Sequence, residues 1–400
     1  MENVAKTRIT HPIPGSSGLA PAGEAPTEPR RNLFSALASL ISPVAGLRSL
    51  SGASRCMESG SRGALTRRWI IAAQILGVHL AIAAPTERML FSYFRDNGKD
   101  GVFLATTEDG REFKALNDDK PIFTPPKWRG QNLTRDPSIL YHDGIFHMVW
   151  TSNWTGRIFG YASSRNLADW SEPVQVRPFP DSLPKEDQPD NVWAPEIHHD
   201  PVKNDFFILF ASTTPRERND DDASNNNGKP GFRYDNRVFI TRTKDFKTFS
   251  EARLYFDRGF ASIDAVMKPD PARKNWVMII KCSRDESLKT MPGRNLWLTR
   301  SSGMDSDKPD FAPLTAPIAG NHSPMFEDPS PRKSMAEGPS LLRHGELWWL
   351  VWDEPAGGHL QLATSPDLKA WTHHKGAKFP PRAQHGTLFL APGSAVSWSR

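Results

Sequence analysis

Hydrophobic and polar positions follow one short phrase that returns five times along this chain. It spans Leu104–Phe113, Tyr161–Trp170, Ile240–Phe249, Leu298–Gly303 and onward, and Leu362–Trp371. A good copy runs from apolar strand residues into a polar turn centred on Asp or Asn, then to an aromatic residue. The copy at Leu298 is the poorest. An aromatic-rich strand precedes each copy, at Phe91–Phe94, Ile145–Thr151, Phe206–Ser212, Trp276–Ser283 and Leu347–Trp352. Self-similarity at spacings of 57 to 79 residues, built from strands and turns alone, predicts an all-β, five-bladed β-propeller. Such a ring binds small molecules at the mouth of its central channel, so the chemistry is expected there.

The repeats begin near residue 90, and what precedes them has a different character. Residues 1–56 are rich in Pro, Ala, Gly and Ser and show no sustained period. Arg62, Arg67 and Arg68 follow Met57, and an apolar run from Trp69 ends in the small residues Ala81-Ile82-Ala83. Basic residues, a short apolar core and a small-residue ending describe a secretory signal peptide over 57–83. The run is short and Ala-rich for a spanning helix, and Thr66–Ile71 resembles a twin-arginine export signal. Translation is therefore expected to start at Met57, with 1–56 a non-native or disordered leader and the product secreted or periplasmic.

Removal of the leader changes the charge. Residues 1–83 hold 9 bases and 4 acids, and the remaining 317 residues hold 41 of each. The basic balance belongs to the leader, so neither nucleic acid nor, after processing, a membrane is an expected partner. Cys56 lies in the leader and Cys282 on an apolar strand, so no disulfide is expected. Most of the 13 Trp residues suit blade packing. Trp128, Trp154 and Trp193 sit among polar residues, where a ring can stack on a sugar.

The segments that open successive blades carry the candidate chemistry. They are Leu133–Ile139, Asn191–Ile197, Ala261–Val266, Met335–Leu341 and Gln384–Phe389. Opening strands line the channel, so Asp136, Glu196, Asp264, Glu337 and His385 are expected to ring one mouth. Carboxylates crowded into one pocket raise some of their pKa values, and a protonated carboxyl beside an ionised one equips general acid/base chemistry. Glycoside hydrolysis uses such a pair. A metal site is the competing reading of an acid-and-His ring.

On these residues the chain resembles glycoside hydrolase family 43, five-bladed enzymes acting on arabinose-, xylose- and galactose-containing glycans. The resemblance covers residues 88–392. It implies that Asp136 of Asp136-Pro-Ser-Ile is the general base, that Glu337 of Glu337-Gly-Pro is the general acid, and that Asp264 orients the acid and tunes its pKa. It also implies that Trp193 of Trp193-Ala-Pro lines the sugar site. His385 of His385-Gly is placed at the axis, where it touches a metal through water. No cofactor is required, and a structural Ca²⁺ on the axis is the ion the resemblance allows. Asp264 departs from the pattern because Ala-Val-Met, not Pro, follows it. Glu196 adds a carboxylate with an open role.

Arg135 precedes the base, where it can bind a sugar hydroxyl or carboxylate or hold Asp136 ionised. Arg135, Trp193, Glu196, Trp154 and His385 are thus the candidate substrate contacts. Arg135-Asp136-Pro also resembles the invertase and fructanase family, but its Asn-Asp-Pro-Asn nucleophile motif is absent from residues 84–135. The polar stretch 216–236 is expected to be a solvated loop, with a lid or cation site as alternatives. The reading is an exported inverting glycoside hydrolase acting on an oligo- or polysaccharide. Its rivals are a non-catalytic glycan-binding propeller and a retaining invertase-like enzyme.

Overall fold

The computed structural model describes residues 87–213, 236–282, 294–320, 323, 335–354 and 359–396. The leader, the signal-peptide segment, Cys56 and residues 216–235 lie outside these. Nineteen strands occur among the described residues. In chain order they are β1 (Glu87–Phe94), β2 (Val102–Thr107), β3 (Lys114–Ala115), β4 (Arg135–His142), β5 (Ile145–Thr151), β6 (Phe159–Ser164) and β7 (Val174–Val176). Then follow β8 (Trp193–Asp200), β9 (Asp205–Ser212), β10 (Arg237–Thr243), β11 (Arg253–Phe256), β12 (Ser262–Asp270), β13 (Asn275–Cys282) and β14 (Leu296–Arg300). The last are β15 (Glu337–His344), β16 (Leu347–Glu354), β17 (His359–Ser365), β18 (Thr372–His373) and β19 (Leu388–Pro392). Helical structure among the described residues is limited to three-residue 3₁₀ turns.

The strands form five antiparallel sheets: β4–β7, β8–β11, β12–β14, β15–β18, and β19-β1-β2-β3. These are blades one to five of a five-bladed β-propeller. The last joins the two ends of the ring: β19 pairs with β1, from Glu87 opposite Pro392 to Phe91 opposite Leu388. Among the described residues blade three has three strands and each of the others has four. It is the blade with the poorest copy of the repeated phrase.

That phrase is a local hydrogen-bonding device. Asp109 Oδ1 accepts the backbone N–H groups of Arg111 and Glu112 at 2.8 and 2.9 Å. Asn166, Asp245 and Asp367 accept from the N–H groups two and three residues ahead in the same way. The hydroxyl two residues earlier, on Thr107, Ser164, Thr243 or Ser365, accepts a third backbone N–H. Short polar side chains thus satisfy the backbone of a tight turn. In blade three Ser301 has no such Asp after it, and its hydroxyl donates to Gly303 O instead.

The core is divided among the contacts between blades. Five apolar clusters occur among the described residues, and each spans two adjacent sheets. Phe91, Tyr93 and Phe103 of blade five, for example, pack with Val351, Leu360 and Leu362 of blade four. Every middle strand is therefore covered on both faces. That is why β9 and β2 are buried along their whole length and read as continuous apolar runs.

Gly386 shows how tightly the ring closes. A Cβ there would sit 1.6 Å from the carbonyl oxygen of Ser92 on β1, which is backbone and cannot swing aside. Gly386→Ala must push β19 off β1. The expected loss is about 1–3 kcal/mol or more, seen as a lower thermal midpoint with the baseline spectrum retained. An unchanged midpoint would contradict the closure described here.

Candidate active site

One irregularity, repeated in every blade, builds the site. At the start of β4, Arg135 pairs with Thr151 and Ser138 with Val149, so one extra residue bulges from the inner strand. The same bulge lies at Trp193–Glu196, Ile263–Val266 and Glu337–Ser340. In blade five Gln384 bridges Phe94, and Thr387 exchanges backbone hydrogen bonds with Ser92. The bulged residue is Asp136, Ala194, Asp264 or Gly338 in blades one to four, with φ of +50°, +45°, +56° and +56°. A non-glycine residue held in this left-handed region costs on the order of 1 kcal/mol or more. The bulge turns these side chains into the channel mouth.

This register sorts the expected residues into layers. Arg135, Trp193, Ile263, Glu337 and Gln384 are equivalent and uppermost. Asp136, Ala194, Asp264, Gly338 and His385 come next, and Ser138, Glu196, Val266, Ser340 and Thr387 lie deepest. The first two layers, Gly338 excepted, line one pocket, together with Phe94, Thr151, Trp154 and Asp353. Asp136, Asp264, Glu337 and His385 are thus brought together, as expected. Glu196 is not with them. Its carboxylate is buried below and accepts hydrogen bonds from Ser138 Oγ at 2.7 Å and Thr387 Oγ1 at 3.3 Å. The expectation that it shares the mouth is corrected by the register: Glu196 stands two positions further along its strand than Asp136 does.

Asp136 and His385 hold each other at the mouth. His385 Nδ1 lies 3.3 Å from Asp136 Oδ1, and Thr151 Oγ1 donates to Asp136 Oδ2 at 2.8 Å while accepting the Ala194 N–H at 2.7 Å. Gly338 permits this. A Cβ there would strike the His385 ring at 2.4 Å. Burial pushes the Asp136 carboxyl up, but Arg135, His385 and Thr151 outweigh it and hold it down at about 2. Burial likewise disfavours charge on His385, yet Asp136, Asp264 and Glu196 raise it to about 10. Asp264 is raised by burial, with Glu337 and Asp136 adding to the effect, and its Oδ2 accepts the Gly338 N–H at 3.0 Å.

Two charged groups at the mouth came from second strands, where the opening segments gave no sign of them. Asp353 on β16 is directly opposite Glu337. Burial, helped by Glu337 and Asp136, raises it to about 7, and its Oδ2 accepts the His385 N–H at 3.3 Å. Lys281 on β13 occupies the equivalent place opposite Ile263 and forms an ion pair with Glu337 Oε2. The acids expected around Glu337 are present in Asp264 and Asp353, but the Lys281 ammonium offsets their charge. Both could have been sought as polar residues interrupting otherwise apolar middle strands.

The rim is aromatic. Trp154, 45% exposed, meets Trp193 edge to face at 5.8 Å, and Trp193 Nε1 donates to Trp154 O at 2.9 Å. The Arg135 guanidinium lies 4.2 Å from the Trp154 ring centre and 4.8 Å from that of Phe94. Trp128 stacks on Trp150 in the core between blades one and five, away from this rim. Glu196 is shared by two hydroxyls and faces the charge of Lys268, itself lowered by burial. Among the described residues no group of three or more His, Cys, Asp or Glu is arranged to hold a metal ion.

Residues 84–390 match a sequence family related to glycoside hydrolase family 43 and described as "Probable glycosyl hydrolase domain". The chain belongs to this family. No curated protein sequence matches it significantly. Among solved structures, an α-L-arabinofuranosidase from Lactobacillus brevis is 14% identical with a TM-score of 0.43, over 60% of this chain and 72% of that one. A xylan β-1,4-xylosidase from Bacillus halodurans is 16% identical with a TM-score of 0.44, over 62% and 42%. An exo-β-1,3-galactanase from Clostridium thermocellum is 15% identical with a TM-score of 0.43, over 63% and 50%. Likeness at this level says nothing of the substrate.

In this family member the Asp136–His385 pair makes a sharp pH statement. The His385 value rises from 6.5 to about 10 on folding, so its contribution to stability is complete below about pH 6.5 and is lost as pH rises through 10. Asp136 falls from 3.8 to about 2, so its contribution is complete above 3.8 and is lost as pH falls through 2. The imidazole of His385 should remain protonated at pH 8 by NMR and lose more than about one pKa unit in Asp136→Asn. A neutral His385 at pH 8 in the unsubstituted protein would contradict this pairing.

Proposed function

We propose that this family member is an inverting glycoside hydrolase acting on arabinose-, xylose- or galactose-containing oligo- or polysaccharides. The observation that carries the reading is the convergence of Asp136, Asp264 and Glu337, from three different blades, on one aromatic-rimmed pocket. Asp136, ionised beside His385, orients the attacking water. A carboxylate with so low a pKa is a weak base, so it takes the proton late, once the oxocarbenium-like sugar has made the water acidic. Glu337 delivers a proton to the leaving oxygen, and Asp264, against the backbone of Gly338, fixes the strand that carries it.

Asp353 has a specific claim as an alternative donor. It lines the same pocket and its raised value of about 7 lets it hold a proton near neutrality. Should Glu337 prove dispensable, the role passes to Asp353 and not to Glu196, which lies below the pocket.

Kinetics with matched leaving groups test the assignment. General acid catalysis is worth roughly 10²–10⁴-fold. Glu337→Gln should therefore reduce kcat by that order on natural glycosides and far less on aryl-glycosides of arabinofuranose, xylose or galactose with acidic phenols. Asp136→Asn should suppress turnover of both kinds. Equal losses on the two substrate classes for Glu337→Gln would remove it as the acid.

A further inference from the structure

Three cationic side chains lie in or beside the pocket, and two of them are paired with acids. Lys281 is paired with Glu337 and His385 with Asp136. Arg135 is different: among the described residues it has no carboxylate within ion-pair distance, and its one hydrogen-bond partner is Asn97 Oδ1. Asp136, next in sequence, feels its charge, but that carboxylate makes its direct contacts with His385 and Thr151. The guanidinium is nonetheless fixed. It lies over Phe94 and Trp154, and Asn97 Oδ1 also accepts the Trp154 Nε1–H at 3.1 Å, which ties the ring to the same anchor. Asn97 is held in a left-handed turn, with φ of +63°.

A guanidinium presents five N–H donors in a rigid fork that matches a carboxylate in geometry and charge. Stacking immobilises it in advance, so little freedom remains to be lost when an anion binds. Resting on the hydrolase reading above, we propose that Arg135 selects a glycan carrying a carboxylate, a uronic acid, at the cleaved sugar or directly beside it.

The charge of the pocket permits an anion. Asp136 and Glu337 are each matched by a cation, and burial raises both Asp264 and Asp353, the latter to about 7. Arg135 thus adds a positive charge that no carboxylate matches at ion-pair distance among the described residues. Neutral sugars offer hydroxyl acceptors to the same fork, but without the charge that strengthens such bonds.

Titration calorimetry of the full chain at pH 6 and low salt provides the test. The probes are D-galacturonate and D-glucuronate against their neutral parents D-galactose and D-glucose. A bond to a charged group is worth roughly 10–100-fold, so the uronates should bind at least tenfold more tightly than the parents. Arg135→Gln should abolish the preference, and Arg135→Lys, which keeps charge but loses the fork, should retain only part of it. Circular dichroism checks that both variants fold. Equal binding of uronate and parent by the unsubstituted protein would overturn the proposal even if a variant failed to fold. So would a full preference in folded Arg135→Gln. Binding is read without turnover, so failure here leaves the hydrolase reading standing, and loss of the Glu337 assignment leaves this result untouched.

Discussion

Asp136 and His385 meet at the channel mouth as a buried ion pair between the first blade and the last, which are neighbours in the ring, and much of the structure is arranged to let them do so. Two buried charges lose their hydration, and removing either partner from such a pair typically costs about 3–5 kcal/mol. The pair can form only if β19 returns to β1, which places His385 opposite the start of β4. It needs Gly338 beneath the imidazole and Gly386 against Ser92. It also needs the bulge that turns Asp136 inwards at positive φ. The strain at Asp136, Ala194 and Asp264 is supported by the apolar clusters between blades, which hold each strand on both faces. Backbone strain, ring closure and the electrostatics of the mouth are thus one problem with one solution.

The pocket also shows how acids of different character coexist within one site. The same low-polarity surroundings act on Asp136 and Asp353, yet the first stands at about 2 and the second at about 7. The difference lies in their partners. Asp136 has a cation in direct contact, a second nearby cation and a donated hydroxyl, whereas Asp353 has one long backbone hydrogen bond and the more distant charge of His385, set against two like charges. Pairs of carboxyls driven apart in this way are the means by which one site holds a base and a proton donor together.

Much of this was legible in the sequence, for a physical reason. The repeated phrase is a turn whose Asp, Asn, Ser and Thr side chains hydrogen-bond their own backbone, so the information is local and written in consecutive residues. The blade count, the strand positions and the weak third blade follow from it. Asp136, Asp264, Glu337 and His385 were legible because short motifs mark the strand starts. The layer to which each residue belongs was not, because a one-residue bulge shifts the register, and Glu196 was placed at the mouth on that account. Lys281 and Asp353 were hidden for a different reason. Each lies across a strand pair from an opening segment, so its approach to the site depends on pairing that adjacent sequence does not encode. Residues 57–83 and 216–235 lie outside the described structure, so export and the polar stretch stand as expectations.

The roles given to Asp136 and Glu337 require water to attack the face of the sugar opposite the departing oxygen, with no covalent glycosyl-enzyme. The anomeric configuration of the first product decides this. Proton NMR of a hydrolysis followed from its first minutes, before mutarotation, should show the anomer opposite to that of the substrate. First release of the same anomer would contradict the account, because one carboxylate would then have acted as a nucleophile.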